Sequence, residues 1–132
     1  MPNQIINTSA APAPIGPYSQ AVQSGNLLFI SGQVALVAGT DNFISDNISA
    51  ETHQVMKNLE AILTEADIGF GQVVKTTIFL SDMSLFSAVN EVYGQYFSGN
   101  GNEAASYPAR ETVAVKGLPK NANVEISMIA SI

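Results

Sequence analysis

The chain of 132 residues contains a single arginine, Arg110, within SYPARETVAV at positions 106–115. The near-alternation of Tyr, Thr and Val in this stretch is that of a half-buried β-strand, and a cation placed there calls for an anionic partner. A guanidinium offers five donors in a planar fork that grips a carboxylate through two parallel hydrogen bonds, which the four lysines cannot reproduce. Strand pleating groups Arg110 with Thr112 and Ala114 on one face and turns Glu111, Val113 and Val115 to the other. Near the carboxy terminus, NVEISMIASI sets Val124, Ile126, Met128 and Ala130 in one row and Glu125, Ser127 and Ile129 in the opposite one. If these two strands pair, Arg110 and Glu125 approach each other. A structural ion pair is the commoner outcome for such charges. Pro108, which cannot donate to a strand ladder, favours instead an edge or irregular start where the guanidinium faces a cleft.

The rest of the chain must hold these groups in place. APAPIGPYSQ is an extended, turn-rich lead-in, and residues 20–34 predict two strands turning at Ser24-Gly25-Asn26. VALVAGTDNFISDN shows no clean period and reads as a loop with at most a short strand. From Ser49 onward, Val55, Leu59, Ile62, Leu63 and Ala66 recur at helical spacing. Ser49 is the expected N-cap, Glu51 suits the positive first turn, and Gly69 ends the helix. His53, on a polar side of this helix, is expected to be solvated. QVVKTTIFLSDM predicts a strand, and Asp82 or Ser84 caps a second helix over SLFSAVNEVYGQYF. SGNGNEAA, at 98–105, is a loop, and a turn region at 117–121 joins the two closing strands. The order β-β-(β)-α-β-α-β-β predicts an α+β fold, a mixed sheet with two helices on one face. The other face carries enough Val, Ile, Phe and Met to need cover from an identical subunit, which predicts a cyclic homo-oligomer with sites near its seams.

Composition narrows the function. A chain this long fits one domain, taken as residues 1–132. Without cysteine there is no thiolate nucleophile or zinc–thiolate site, and one histidine makes no His-rich metal site. The net charge of −6 opposes nucleic-acid binding, which rests on clustered Lys and Arg. The lack of a signal-like start and of any long apolar run leads to the expectation of a soluble, cytoplasmic protein with no membrane partner.

The motifs GPYSQAV (16–22), ISGQV (30–34), KNLEAIL (57–63), VNEVYGQYF (89–97), PAR (108–110) and LPKNANVEI (118–126) occur in this order. Together they resemble the RidA branch of the Rid, or YjgF-like, family, whose older label is endoribonuclease L-PSP. The resemblance implies a chorismate-mutase-like fold, a homotrimer with clefts between subunits, and cofactor-independent hydrolysis of 2-imino acids or their enamine tautomers to 2-oxo acids and ammonia. It implies that Arg110 holds the substrate carboxylate, and that Tyr18, Ser31, Gly32, Asn90, Thr112 and Glu125 line the cleft. Of these, Glu125, Tyr18 and Ser31 are the candidates to act beside Arg110 in catalysis, and Gly32, Asn90 and Thr112 those to bind. Each also has a plainer reading: Tyr18 anchors a turn, Ser31 and Gly32 mark a bulge, Asn90 bonds to backbone.

The chain departs from the family pattern in four places. Glu111 stands where a small residue is usual, and Thr112 where the deaminating branch often has cysteine. Glu51 replaces a frequent glutamine, which is expected to affect only a turn contact, and VALVAGTDNF lacks the usual Pro-rich loop. Two other readings compete with the deaminase: a non-catalytic protein that binds small 2-oxo acids or acts as a holdase, and the ribonuclease of the older label, which the acidic charge disfavours.

Overall fold

Among the described residues, alternating β-branched and apolar side chains build six strands: β1 (Gln4–Ile6), β2 (Ala21–Ser24), β3 (Leu27–Gln33), β4 (Val73–Leu80), β5 (Ala109–Ala114) and β6 (Val124–Ser131). They form one sheet in the order β1-β2-β3-β6-β4-β5, antiparallel except for the parallel pair β4 and β5. The helices α1 (Ile48–Glu65) and α2 (Phe86–Gln95) pack together on one face, in the α+β arrangement expected. The structure, a computed structural model, describes residues 2–97 and 106–132, and the predicted loop at 98–105 lies outside them. Among the described residues no helix is long and apolar enough to cross a membrane.

The core lies between α1 and the row formed by Leu28, Ile30, Ile78, Leu80, Val124, Ile126, Met128 and Ala130, all buried. Val55, Met56, Leu59, Ile62 and Leu63 descend on that row from α1, each such side chain contributing about 1.5–3 kcal/mol on burial. The hairpin turns where expected: Ser24 pairs with Leu27, and Gly25 takes φ +60, a conformation a side chain resists.

The ends of α1 differ from the sequence reading. Asn47, not Ser49, is the N-cap, and its side chain accepts the Ala50 N–H at 2.8 Å. The helix stops before Gly69. Asp67 turns left-handed at φ 59, while the Ile68 N–H bonds to the Leu63 carbonyl and the Asp67 N–H to that of Thr64, closing a Schellman motif. His53 is half-buried rather than fully solvated, and its Nδ1 lies 2.9 Å from the Tyr96 hydroxyl, linking α1 to the end of α2. The unpredicted strand β1 has only three residues, too few for periodicity to show, and the strand entertained within 34–47 reduces to one bridge between Leu36 and Phe43.

The two closing strands do not pair, so the condition for Arg110 and Glu125 to approach is not met. The link from β4 through α2 returns the chain parallel to β4 on its outer side, leaving β5 at the sheet edge, as Pro108 suggested. β6 then enters antiparallel between β3 and β4. In parallel register Arg110 lies opposite Thr76 and Thr112 opposite Ile78, both on the helix-covered face. Glu125 lies opposite Phe79, out of step with the buried row, and looks to the other face. Arg110 and Glu125 are therefore separated by β4 and by the thickness of the sheet.

Buried polar side chains fasten the loops to this frame. Gln20 donates to the carbonyls of Thr8, Ala11 and Pro12 and accepts from the Thr8 N–H. Asn58 on α1 donates to the carbonyls of Val34 and Leu36. Glu51 was expected to make only a turn contact, yet the residue is 1 % exposed and its carboxylate accepts from the Asn123 N–H at 2.7 Å and from the Asn123 Nδ2 at 3.1 Å. This joins the start of α1 to the segment that delivers Glu125. Glu51→Ala leaves the part-buried Asn123 N–H without this acceptor and is expected to cost about 1–2 kcal/mol, whereas Glu51→Gln retains an acceptor and costs less than about 1. Urea unfolding of the two variants checks this, and equal stability of Glu51→Ala and the wild type would remove the role.

Candidate functional site

Two groups of polar side chains form, one on each side of the sheet. The first surrounds Arg110. Phe86, Asn90 and Tyr93 follow one another along α2 at spacings of four and three residues, so they share the helix face turned toward β5. The guanidinium carbon of Arg110 lies over the Tyr93 ring at 5.1 Å from its centroid and over the Phe86 ring at 5.6 Å. Tyr93 is buried and its hydroxyl donates to Thr76 Oγ1 at 3.0 Å, while burial pushes its phenol above the ordinary tyrosine range. Asn90, Tyr93, Gly94, Tyr107, Pro108 and Arg110 line an open cavity of about 260 Å³. Among the described residues the guanidinium has neither a hydrogen bond nor an ion pair, the one salt bridge joining Lys75 to Glu111 instead. Thr112, on the same face, keeps a buried hydroxyl with no partner among the described residues.

The second group gathers where β3 bulges. Ile30 pairs with Met128 and Gln33 with Ile126, so Ser31 and Gly32 together oppose Ser127. The bulge read from the sequence is present, and it carries a further consequence. A Cβ on Gly32 would lie 2.9 Å from the Glu125 carboxyl, so the missing side chain is the space the carboxyl occupies. Partial burial raises the Glu125 carboxyl above the ordinary carboxylate range. Ser31 donates its hydroxyl proton to the Ser19 carbonyl at 2.6 Å and retains only acceptor capacity. The Tyr18 hydroxyl accepts the Ile15 N–H at 3.3 Å, which leaves its own proton free to donate. Tyr18 and Ser31 also border a cavity of about 490 Å³ on the uncovered face, with Phe29, Ser127 and Ile129.

The seven residues singled out in the sequence thus divide. Arg110, Asn90 and Thr112 lie with the helices, and Tyr18, Ser31, Gly32 and Glu125 lie at or near the bulge, toward the uncovered face. Glu111 points away from Arg110, as parity required, and its carboxylate accepts from Thr77 and pairs with Lys75 at 3.0 Å. The Thr77 hydrogen bond, followed by Lys75, holds this carboxyl below its ordinary range. Tyr93 and Phe86 were not singled out from the sequence. The signal that finds them is their spacing from Asn90 on α2.

Because the Glu125 proton is held more tightly in the folded chain than in the unfolded one, stability falls as pH rises from the ordinary glutamate range through the folded value. Glu125→Gln is expected to match the wild type in acid and to gain on it as pH passes that value. Urea midpoints of both proteins across pH 3–8 measure the difference, and a constant offset at every pH would contradict the assigned burial.

Residues 8–132 match the protein family described as Endoribonuclease L-PSP. A RutC-family protein of Synechocystis is 47% identical over 131 residues, covering 98% of this chain and 97% of the relative. The mouse protein named 2-iminobutanoate/2-iminopropanoate deaminase is 45% identical over 127 residues, covering 96% and 90%. The crystal structure of Escherichia coli TdcF with bound serine superposes with a TM-score of 0.89 at 36% identity and covers 98% of this chain and 98% of that one. With sequence, topology and relatives in agreement over almost the whole length, the chain belongs to the Endoribonuclease L-PSP family, the YjgF-like or Rid proteins.

Proposed function

We propose that this chain, a single RidA-like domain over residues 1–132, is a cytoplasmic, cofactor-independent hydrolase that converts reactive 2-imino acids, or their enamines, to 2-oxo acids and ammonia. The observation that carries the reading is the guanidinium of Arg110, which among the described residues has no hydrogen bond or ion pair, beside a cavity of about 260 Å³. Such a group is a receptor for a small carboxylate. The mouse relative supports the imine chemistry by its name, and the serine in the bacterial structure is a small molecule with a carboxylate and an amino group.

Arg110 and Glu125 cannot reach one substrate within a single chain, since β4 lies between them and they face opposite ways. A cyclic homotrimer resolves this by setting the β5 edge of one subunit against the bulge of the next, which also covers the uncovered face, where Phe29 and Val113 are exposed. Each cleft then takes Arg110, Asn90 and Thr112 from one chain and Tyr18, Ser31, Gly32 and Glu125 from its neighbour.

In that cleft the raised affinity of Glu125 for a proton suits it to carry one. Its protonated form gives the proton to the imine nitrogen, making an iminium carbon that water attacks. The carboxylate takes a proton from that water, leaving a neutral carbinolamine. Glu125 then protonates the amine and recovers a proton from the hydroxyl as ammonia departs and the carbonyl forms. Arg110 fixes the carboxylate so that attack starts from an aligned pose. Tyr18 donates to the oxygen of the carbinolamine, and Ser31, with its proton already committed, accepts from the substrate N–H.

Following the decay of enzymatically generated 2-iminobutanoate or 2-iminopropanoate tests this directly. Arg110→Ala is expected to lower kcat/KM by ~100-fold or more, and Arg110→Lys, which keeps the charge but not the fork, by ~10-fold or more. Wild-type decay no faster than buffer would refute the deaminase, and 2-oxo-acid binding that persists in that case would favour a binding protein.

A further inference from the structure

Arg110 is the one cation of the chain that lies over aromatic rings among the described residues, and the manner of its support bears on its task. A carboxylate partner would hold a guanidinium in place but would consume its donors. An aromatic face attracts the same charge through its quadrupole and leaves every N–H free. Tyr93 and Phe86 provide this kind of support, at 5.1 and 5.6 Å. Tyr93 cannot drift, because its ring sits in the core and its hydroxyl is tied to Thr76 on β4, directly opposite Arg110 in the register. Phe86 begins α2, immediately after the turn capped by Asp82 through the Ser84 N–H at 2.8 Å. The two rings are therefore fixed from two directions.

We infer that Tyr93 and Phe86 are positioning residues for the anion site: they hold the Arg110 guanidinium by its π-facing surface and keep its hydrogen-bonding edge empty for an incoming carboxylate. Neither ring needs to touch the substrate. The inference rests on Arg110 being the carboxylate receptor and adds what makes it one. It also explains why lysine is a poor substitute there, since an ammonium lacks both the planar edge and the flat surface to stack.

The single arginine makes the test direct, because the protein gives one Arg Nε–H correlation in a ¹H–¹⁵N spectrum. In the wild type this proton is expected upfield of its ordinary position through the ring currents. It should remain there in Tyr93→Phe, which keeps the ring but loses the tie to Thr76, and return toward the ordinary position in Tyr93→Leu. Calorimetric titration with 2-oxobutanoate, a stable carboxylate, is expected to weaken about three- to tenfold in Tyr93→Leu and in Phe86→Leu and to change less than about twofold in Tyr93→Phe. In imine hydrolysis the same loss should fall on KM, with kcat within about twofold. If Tyr93→Leu does not fold, Phe86→Leu decides. An ordinary Nε–H position in the wild type, or unchanged affinity in a folded leucine variant, overturns the inference while leaving the anion clamp intact. A wild type that does not bind 2-oxobutanoate overturns the clamp, and the inference with it.

Discussion

β6 inserts between β3 and β4, and that one choice of strand order governs where every polar group of interest ends up. It places β4 between the strand of Arg110 and the strand of Glu125, and pleating then sends the two side chains to opposite faces. The guanidinium is left on the helix side at an exposed edge, supported by rings. The carboxyl is left at the bulge of β3, fitted into the space that Gly32 leaves open. Neither group satisfies the other, and this separation is what the proposed chemistry on a small anion uses. Had β5 and β6 paired, as their adjacency in sequence invites, the two charges could have met as an ion pair and neutralised the site.

The sequence made part of this legible and hid the rest for identifiable reasons. Parity along β5 put Arg110 and Thr112 on one face and Glu111 on the other, because a period of two does not depend on the neighbouring strand. The apolar stripe of α1 was equally local. The caps were not: Asn47 competes with Ser49, and Asp67 adopts a conformation that glycine takes more readily, so the helix ends depended on which hydrogen bonds the fold allowed. Strand order lies furthest from local pattern. A parallel return through α2 and an antiparallel return through a turn leave the same alternation in the strand that follows. β1, with three residues, had no pattern long enough to read.

The same division runs through the candidate site. Ser31-Gly32 as a bulge and Pro108 as the mark of an edge strand were readable because each rests on backbone chemistry. The ring support under Arg110 was not, since Phe86 and Tyr93 look like any apolar stripe until β5 is known to lie beneath them. Glu51 was taken for a minor change at a helix start, yet it binds the segment that leads into β6 and so helps set the position of Glu125. Positioning in this protein falls to buried polar side chains, Gln20, Asn58 and Glu51, whose partners lie outside their own elements and cannot be inferred from spacing.

In the proposed reading, one reaction centre needs the two faces of the sheet brought together by two copies of the chain. Mixing equal amounts of Arg110→Ala and Glu125→Gln subunits, each expected to lose most of its activity alone, and refolding them together measures this directly. In randomly assembled trimers one cleft in four receives an intact Arg110 from one chain and an intact Glu125 from its neighbour, so imine-hydrolysing activity should recover to about a quarter of the wild-type level. A mixture no more active than its separate components would contradict the account.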